Sequence, residues 1–484
     1  MSTAAERLNR PVVAIVAVGV LAALIRLWGL SHPQEMIFDE NYYAEAACIL
    51  IGGSDRECQL TEDAELQFRD QQWDVGSWVH PQLGKWMIAV GEKVFGVNAF
   101  GWRVSSAVAG TAVAVIAAVI AQILFGSAIW TFVTGGLVAI ESLNVVMSRV
   151  ALLDVFVELW VALGILFLLL DRRWIERRTP PEHGGVPSPL WRPWRYAAGF
   201  AMGAAFSSKW SGVLGLVAAV ILTYAWETTR RRREGEVPVG RAFGRAFAQE
   251  TLGVLLGFAL LPALVYLLTW VPWFHHFGWS LSDWWEHQTA MLSYHRSLTE
   301  LALDAATGTY TPTHPYYSHA WQWLPMIRPV NFYSPSGDGT IRQIIAIGNP
   351  AVFWGTIWTI PYALFAWRRK LDWRAGAIAV PFLAQYLPWF FVSRPQFFFY
   401  ILPATPFMVL AATYSMRDLW GATIVLRDPE TGARVESRRH PYRPFVYGYL
   451  AVAVALFLWF WPVLTGQELT TTLWRTRIWF QRWG

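Results

Sequence analysis

Charge is scarce in this chain. Asp, Glu, Lys and Arg make up 15% of its 484 residues, whereas hydrophobic residues make up 55%. A water-soluble surface needs roughly a quarter to a third of its residues charged, so a soluble globular protein is excluded and lipid is the implied solvent. Lysine is scarcer still: Lys85, Lys93, Lys209 and Lys370 are the four among 39 basic residues. In so Arg-biased a chain, a retained Lys points to a need for a compact ammonium rather than a guanidinium fork, which marks Lys85 and Lys209. There are two cysteines, Cys48 and Cys58, in one polar loop. If that loop is extracytoplasmic, a disulfide and a pair of free thiols are both open there. HExxH and paired-Cys spacings are absent, so no familiar metal motif is present. No internal repeat and no appended soluble domain are visible. The first apolar run, Pro11 to Leu30, is too long for a cleavable signal peptide and lacks a small-residue cleavage site.

What the chain has in abundance is tryptophan, 30 copies, a residue that favours the membrane–water interface. Apolar runs near the 20 or so residues a spanning helix needs recur near 11–30, 99–123, 128–146, 151–170, 195–207 with a short neighbour at 210–227, 249–271, 348–366, 375–392, 397–413 and 446–464. The reading is an all-α polytopic membrane protein, a single unit over 1–484 with about eleven transmembrane helices. Arginines cluster in four loops, at Arg172–Arg195, Arg230–Arg245, Arg368–Arg374 and Arg427–Arg443. With the N-terminus inside, all four fall on the cytoplasmic side, as the positive-inside rule asks, and the C-terminus falls outside. The first of them, 172–195, reads as a Pro- and Arg-rich linker. Two long loops share the outer side. Residues 31–84 carry eleven acids against two Arg, and residues 273–345 are rich in aromatics, His and Pro. Loops of that length carry function more often than connection.

The first outer loop opens on Phe38-Asp39-Glu40, two adjacent carboxylates at a membrane surface, which are costly unless solvated or used. Asp39 as a simple helix cap is the alternative. Tyr42, Tyr43, Ala46, Ala47 and Leu50 follow at helical spacing and predict an interfacial helix lying on the membrane. The loop closes on His80-Pro81-Gln82-Leu83-Gly84-Lys85, which suits an anion but equally a snorkelling Lys beside a helix-start Pro. Arg103, Arg149, Asp154, Lys209 and Arg394 sit at or near outer helix ends. Several cations converging on one side, with few acids on helices to match them, favour an anionic ligand. The second loop supplies Trp284-Trp285-Glu286-His287, Tyr294-His295 and His314-Pro315-Tyr316-Tyr317-Ser318-His319-Ala320-Trp321, aromatic faces and neutral donors that fit a sugar or an interfacial belt.

Together these pieces resemble the bacterial protein O-mannosyltransferases of the C-type glycosyltransferase superfamily. The matching elements, in order along nearly the whole chain, are Phe38-Asp39-Glu40 after the first span, His80-Pro-x-Leu-Gly-Lys85, Arg103, Arg149-x-x-Leu-Leu-Asp154, Ser208-Lys209-Trp210 and Met326-Ile327-Arg328-Pro329. His80-Pro81-Gln82 departs from the more usual His-Pro-Pro. The Arg bias and the absence of an inserted lectin-like domain look like an actinobacterial member. The resemblance implies a polyprenyl-phosphate-mannose donor, Ser/Thr acceptors on translocating or secreted proteins, and Asp39 acting on the acceptor hydroxyl. On that reading Asp39 and Glu40 are the catalytic pair, with Glu40 orienting Asp39 or binding the acceptor. Lys85, Arg103, Lys209 and Arg394 bind the donor phosphate. His80, Tyr43, Arg149, Asp154, His314 and Trp321 contact sugar or acceptor. A phosphate leaving group needs cations rather than a proton donor, and a hydroxyl nucleophile benefits from a positioned carboxylate. No cofactor is required, no protein metal site is expected, and assistance by a divalent ion stays open. The expected partners are the donor lipid, an acceptor polypeptide with the secretion translocon as its source, and membrane lipid, with no nucleic acid. The expected place is the plasma membrane. A transferase acting on a lipid or cell-wall glycan, and a lipid-linked sugar transporter, are the alternatives. Against the transporter stand the missing repeat and the charges gathered at one surface.

Overall fold

The structure is a computed structural model and describes residues 4–54, 57–58, 78–178, 188–235, 238–303, 310–423, 425–427, 434–436 and 440–483. The acidic middle of the first outer loop, the centre of the 172–195 linker and part of the fourth Arg cluster lie outside the described residues. The helices are α1 (Ala4–Leu27), α2 (Glu40–Leu50), α3 (Leu83–Phe95), α4 (Ala99–Phe125), α5 (Ala128–Ala139), α6 (Ser142–Met147), α7 (Asp154–Arg178), α8 (Pro193–Ser208) and α9 (Val213–Gly235). After these come α10 (Val239–Thr269, with a π turn at Leu256–Leu260), α11 (Val271–Phe277), α12 (Leu281–Ser297), α13 (Pro350–Arg369), α14 (Trp373–Tyr386), α15 (Thr405–Gly421), α16 (Arg443–Thr465) and α17 (Thr471–Arg475).

Each expected apolar run is helical, but not each is a long single helix. Among the described residues six helices are long and apolar enough to cross a membrane by length and composition. The run expected at 128–146 is broken into α5 and α6, and the run at 375–392 ends in a 3-10 turn after Tyr386. Local chemistry explains the boundaries. Asn98 starts α4 by accepting from the backbone N–H groups of Phe100 and Gly101, and Gly126 ends it in the left-handed conformation. Asn349 caps α13 with Pro350 at its first position. Glu141 breaks α5 from α6. Its carboxylate accepts from the N–H groups of Leu143, Asn144 and Asn349, so the break is also a tie to the start of α13.

Packing is close where glycine allows it. A Cβ at Gly199 of α8 would stand 1.8 Å from the carbonyl oxygen of Gly257 in the π turn of α10, so these two backbones touch. Polar pegs cross the apolar centre: Asn144 donates to Glu158 at 2.7 Å and Thr405 donates to the same carboxylate at 2.9 Å, joining α6, α7 and α15. The second long loop adds short antiparallel strands, β1 (Leu301–Leu303) with β2 (Tyr310–Pro312), and β3 (Val330–Tyr333) with β6 (Ile344–Ala346). Between them, β4 (Ser336–Gly337) pairs β5 (Thr340–Arg342). Beyond them lie β7 (Val425–Arg427) paired with β8 (Arg434–Glu436), and β9 (Glu468–Thr470), which pairs β5 and so sews the C-terminal segment to that loop. Trp483 completes the seam by donating its indole N–H to the carbonyl of Met326 at 2.7 Å.

Two expectations change. The apolar face of α2 is not turned to lipid as expected: Tyr43, Ala46, Ala47 and Leu50 are buried within the protein against α3 and its neighbours, and Tyr42 alone of the expected face is exposed. The 172–195 stretch is not linker throughout. Arg192 and Arg195 are buried in an ion-pair network with Asp171, Glu227 and Glu250, joined by Arg231, at one end of α7 to α10. Cys48 and Cys58 form a disulfide that closes the C-terminal end of α2.

Candidate active site

The two adjacent carboxylates are split by their surroundings. Glu40 is fully buried. It takes a bidentate contact from Arg103, Nε at 2.8 Å and Nη2 at 2.7 Å, and the backbone N–H groups of Ile37 at 3.0 Å and Ala151 at 2.9 Å. Arg103 in turn places its Nη atoms on the carbonyls of Leu30, Pro33 and Glu35. A guanidinium has five N–H donors, and here five acceptors meet them. Arg103 therefore has no donor left for a phosphate, and Glu40 no lone pair aimed at a substrate. The phosphate role expected of Arg103 and the acceptor contact expected of Glu40 are corrected: the pair is the frame on which the start of α2 is built, which leaves Glu40 its other expected part, orienting Asp39.

Asp39 stands on that frame with its carboxylate unclaimed. It is the N-cap of α2 but makes no side-chain capping bond, and among the described residues no hydrogen bond reaches its oxygens. The preceding Phe38 is held at φ 51°, in the left-handed region that a bulky residue rarely occupies. Phe38 is pinned there by stacking on Phe332 at 4.5 Å and by the edge of Phe399 at 5.9 Å. Strain of this kind persists where surrounding packing over-determines it, and it gathers at functional sites. Burial pushes the Asp39 carboxyl up to about 6, against the pull of the nearby Lys209 ammonium and with a smaller push from Asp154.

The cations around Asp39 differ in what they have to offer. Lys209, just past the end of α8, donates to both oxygens of Asp154 at 2.9 and 2.8 Å and lies 4.5 Å from the ring centre of Tyr400. Asp154 is thereby a partner of Lys209 and not an independent sugar contact. Lys85 is buried in the first turn of α3, close enough for its charge to bear on His80. Arg394 is different: among the described residues it forms no salt bridge. One of its Nη1 hydrogens is directed to His295 Nδ1 at 3.2 Å, and its guanidinium lies 5.9 Å from the Tyr400 ring. His295 Nε2 donates to the carbonyl of Val79 at 2.9 Å, so the two contacts fix one neutral tautomer. Burial, then the Arg394 charge, hold its pKa down at about 4. Its ring also sits 5.3 Å from that of His80 and 5.7 Å from that of Trp210. His80 is 6.0 Å from Tyr43 and is held well below the usual histidine range, first by burial and then by Lys209.

One end of the bundle thus gathers Asp39, Tyr43, His80, Lys209 and Arg394 of the expected set, with Asp154 behind Lys209. Three others lie elsewhere. Arg149 caps the C-terminus of α1, donating to the carbonyls of Ile25, Arg26, Trp28 and Gly29, a use of cation and helix dipole that is structural. His314 accepts from the N–H of Tyr316 and stands three aromatic rings away from Asp39, along Phe397, Phe399 and Phe38. Trp321 is 55% exposed, whereas its neighbour Trp323 is buried and donates to Ser318. Sequence reasoning passed over Tyr400 and named His295 only as one of the second loop's aromatic and neutral donors. Tyr400 carries no signal beyond its place in an aromatic run. His295 stands out as a His in the second loop, but its partners are distant in the chain. Among the described residues no group of three or more His, Cys, Asp or Glu is placed to hold a metal ion.

Comparison with known proteins bears on the family and the fold. The family described as dolichyl-phosphate-mannose-protein mannosyltransferase matches residues 16–278, and the C-terminal four-transmembrane region of protein O-mannosyltransferases matches residues 280–483. The chain is 29% identical over 503 residues to the polyprenol-phosphate-mannose–protein mannosyltransferase of Mycolicibacterium smegmatis, covering 96% of this chain and 91% of that one. The protein of the same name from Mycobacterium tuberculosis is 27% identical over 507 residues, covering 97% and 90%. In fold the chain is similar to the Saccharomyces cerevisiae Pmt1-Pmt2 complex bound to the sugar donor, with a TM-score of 0.68 and 14% identity over 100% of this chain and 93% of that chain. It is also similar to apo ArnT from Cupriavidus metallidurans, with a TM-score of 0.54 and 17% identity over 94% and 76%. Family match over both halves and the fold agree: this chain belongs to the protein O-mannosyltransferases, multi-pass membrane enzymes of the C-type glycosyltransferase fold.

Proposed function

We propose that the protein transfers mannose from a polyprenyl-phosphate-mannose donor to Ser or Thr hydroxyls of secreted polypeptides, with inversion, at the outer face of the plasma membrane. The observation that carries this reading is Asp39, a carboxylate that accepts no hydrogen bond among the described residues and is poised near neutrality in the field of the Lys209 ammonium, with Arg394, which forms no salt bridge among the described residues, reaching the same end of the bundle through His295 and His80. The donor is built of lipid and sugar phosphate, so a bundle that keeps the prenyl tail in the bilayer and meets its headgroup at one end suits it. Arg394 holds the phosphate, with the Lys209–Asp154 pair setting the local charge. As the acceptor oxygen attacks C1 of mannose, the C1–O bond to phosphate breaks and polyprenyl phosphate leaves. The hydroxyl proton passes to the Asp39 carboxylate. A β-linked mannosyl phosphate gives an α-O-mannosyl product. The transition state is oxocarbenium-like and is stabilised mainly by charge at the departing phosphate. His295 does not serve as base, because its tautomer is committed to Val79 and Arg394.

The test is Asp39→Asn in membranes supplied with labelled donor lipid, given a Ser/Thr peptide and a glycan acceptor side by side. Loss of peptide transfer by about 10² or more is expected for a removed general base. Near-normal transfer removes Asp39 from this role, and transfer to the glycan alone replaces the acceptor class.

A further inference from the structure

A groove of about 850 Å³ opens far from Asp39. Its position follows from α4. That helix begins beside Glu40, where Arg103 lies, and ends at Phe125, whose ring is 5.8 Å from the Arg417 guanidinium lining the groove. Its 27 residues rise about 40 Å at 1.5 Å each, more than the roughly 30 Å of a bilayer's hydrocarbon core. The groove therefore sits at the membrane surface opposite the active site. Its size falls in the range of small-molecule pockets.

The lining is divided. One side is aromatic: Trp130, Trp420 and Trp358, the last 78% exposed. The other side is charged, and among the described residues its cations outnumber its acids. Asp418 is engaged, accepting from Tyr362 at 2.6 Å and pairing with Lys370 at 3.3 Å. Arg417 approaches it only at 3.9 Å. Arg443 lies 4.7 Å over the Trp420 ring at the rim. Among the described residues Lys370 and Arg417 thus share the one carboxylate that lines the groove, and Arg443 at the rim, which also donates to the Trp420 carbonyl at 3.5 Å, pairs with no acid, at a depth where aromatic side chains meet a headgroup region.

We propose that this groove binds one anionic glycerophospholipid of the leaflet opposite the active site. Its phosphate is held by Arg417 and Arg443, and its upper acyl chain lies along Trp358 and Trp130. Charge complementarity selects the anion. The exposed tryptophan wall selects a lipid over a free phosphate, since a soluble anion gains nothing from apolar contact.

The experiment uses the full-length protein in nanodiscs containing either phosphatidylglycerol or phosphatidylcholine with a photoreactive acyl chain, and maps the labelled peptides. Phosphatidylglycerol is expected to label the segments carrying Trp358 and Trp420 at least several-fold more than phosphatidylcholine does. The double variant Arg417→Gln/Arg443→Gln is expected to lose that excess while keeping wild-type labelling along the exposed face of α16, which reports an intact fold. Equal labelling by the two lipids, or an unchanged excess in the double variant, overturns the proposal. So does displacement of the label by millimolar inorganic phosphate, which would make the occupant a free anion.

Discussion

If Asp39 takes the acceptor proton, transfer must follow its ionisation, and the structure sets where that happens. The carboxyl is raised by burial to about 6 from an ordinary 3.8. A base works in its ionised form, so activity is full above that pH and is lost as pH falls through it. With a pKa of about 6, roughly nine-tenths of the enzyme is active at pH 7 and roughly a tenth at pH 5, a tenfold drop in kcat/KM; at 3.8 there would be almost none. Two other groups near the site need separating. His295, held at about 4, does not change charge in this window. Glu45, raised by burial to about 7, does, so Glu45→Gln is the control and should leave the acid limb in place. The Lys209 ammonium lowers the Asp39 pKa more than Asp154 raises it. Replacing both as Lys209→Gln/Asp154→Asn avoids stranding a buried charge and should move the limb to higher pH. The assay is initial-rate transfer from the donor lipid between pH 4.5 and 8, where the donor's phosphodiester stays anionic. A flat profile, or a limb that the double variant leaves unmoved, would refute the reasoning.

Two further outcomes follow from the geometry. Glu40→Gln leaves Arg103 buried with an incomplete partner and should cost about 3–5 kcal/mol of stability, read as a lowered unfolding temperature in detergent; an unchanged midpoint would return Glu40 to the list of groups free to act on substrate. His295→Phe keeps the ring but removes both hydrogen bonds, one of them from a charged donor. It should raise KM for the donor lipid about tenfold with a smaller effect on kcat, and His295→Gln, which can still accept and donate, should recover part of it. Equal KM values across the three proteins would mean that Arg394 needs no such support.

How far the sequence could go depended on the range of each interaction. The helices were legible because lipid permits little else for an apolar run of sufficient length, and their ends because Asn98, Gly126 and the Asn349-Pro350 step act within a turn. Lys209 was legible because lysine is so rare here. What stayed hidden was the division of labour between Asp39 and Glu40. Nothing local distinguishes neighbouring carboxylates; the difference is made by Arg103, 63 residues away, and by the N–H of Ala151, 111 residues away. The left-handed turn at Phe38 had no glycine to announce it, because Phe332 and Phe399 hold it from outside. His295 lies 216 residues from Val79 and 99 from Arg394, so its role could not be read from its neighbours in the chain. The same limit misplaced Arg103 and Arg149: a lone arginine at a helix end looks alike whether it waits for a ligand or closes a helix.

The ion-pair network at the ends of α7 to α10 bears on how such a chain is inserted. Arg192, Arg195 and Arg231 face Asp171, Glu227 and Glu250 there in one buried knot, and the half-buried Arg230 adds a fourth cation on Glu227. Once the knot is tied, the charge of those three arginines is spent on buried carboxylates rather than on lipid headgroups. If these arginines help to hold their loops on one side of the membrane, they can do so only before the helices pack, since packing takes them out of reach of the lipid.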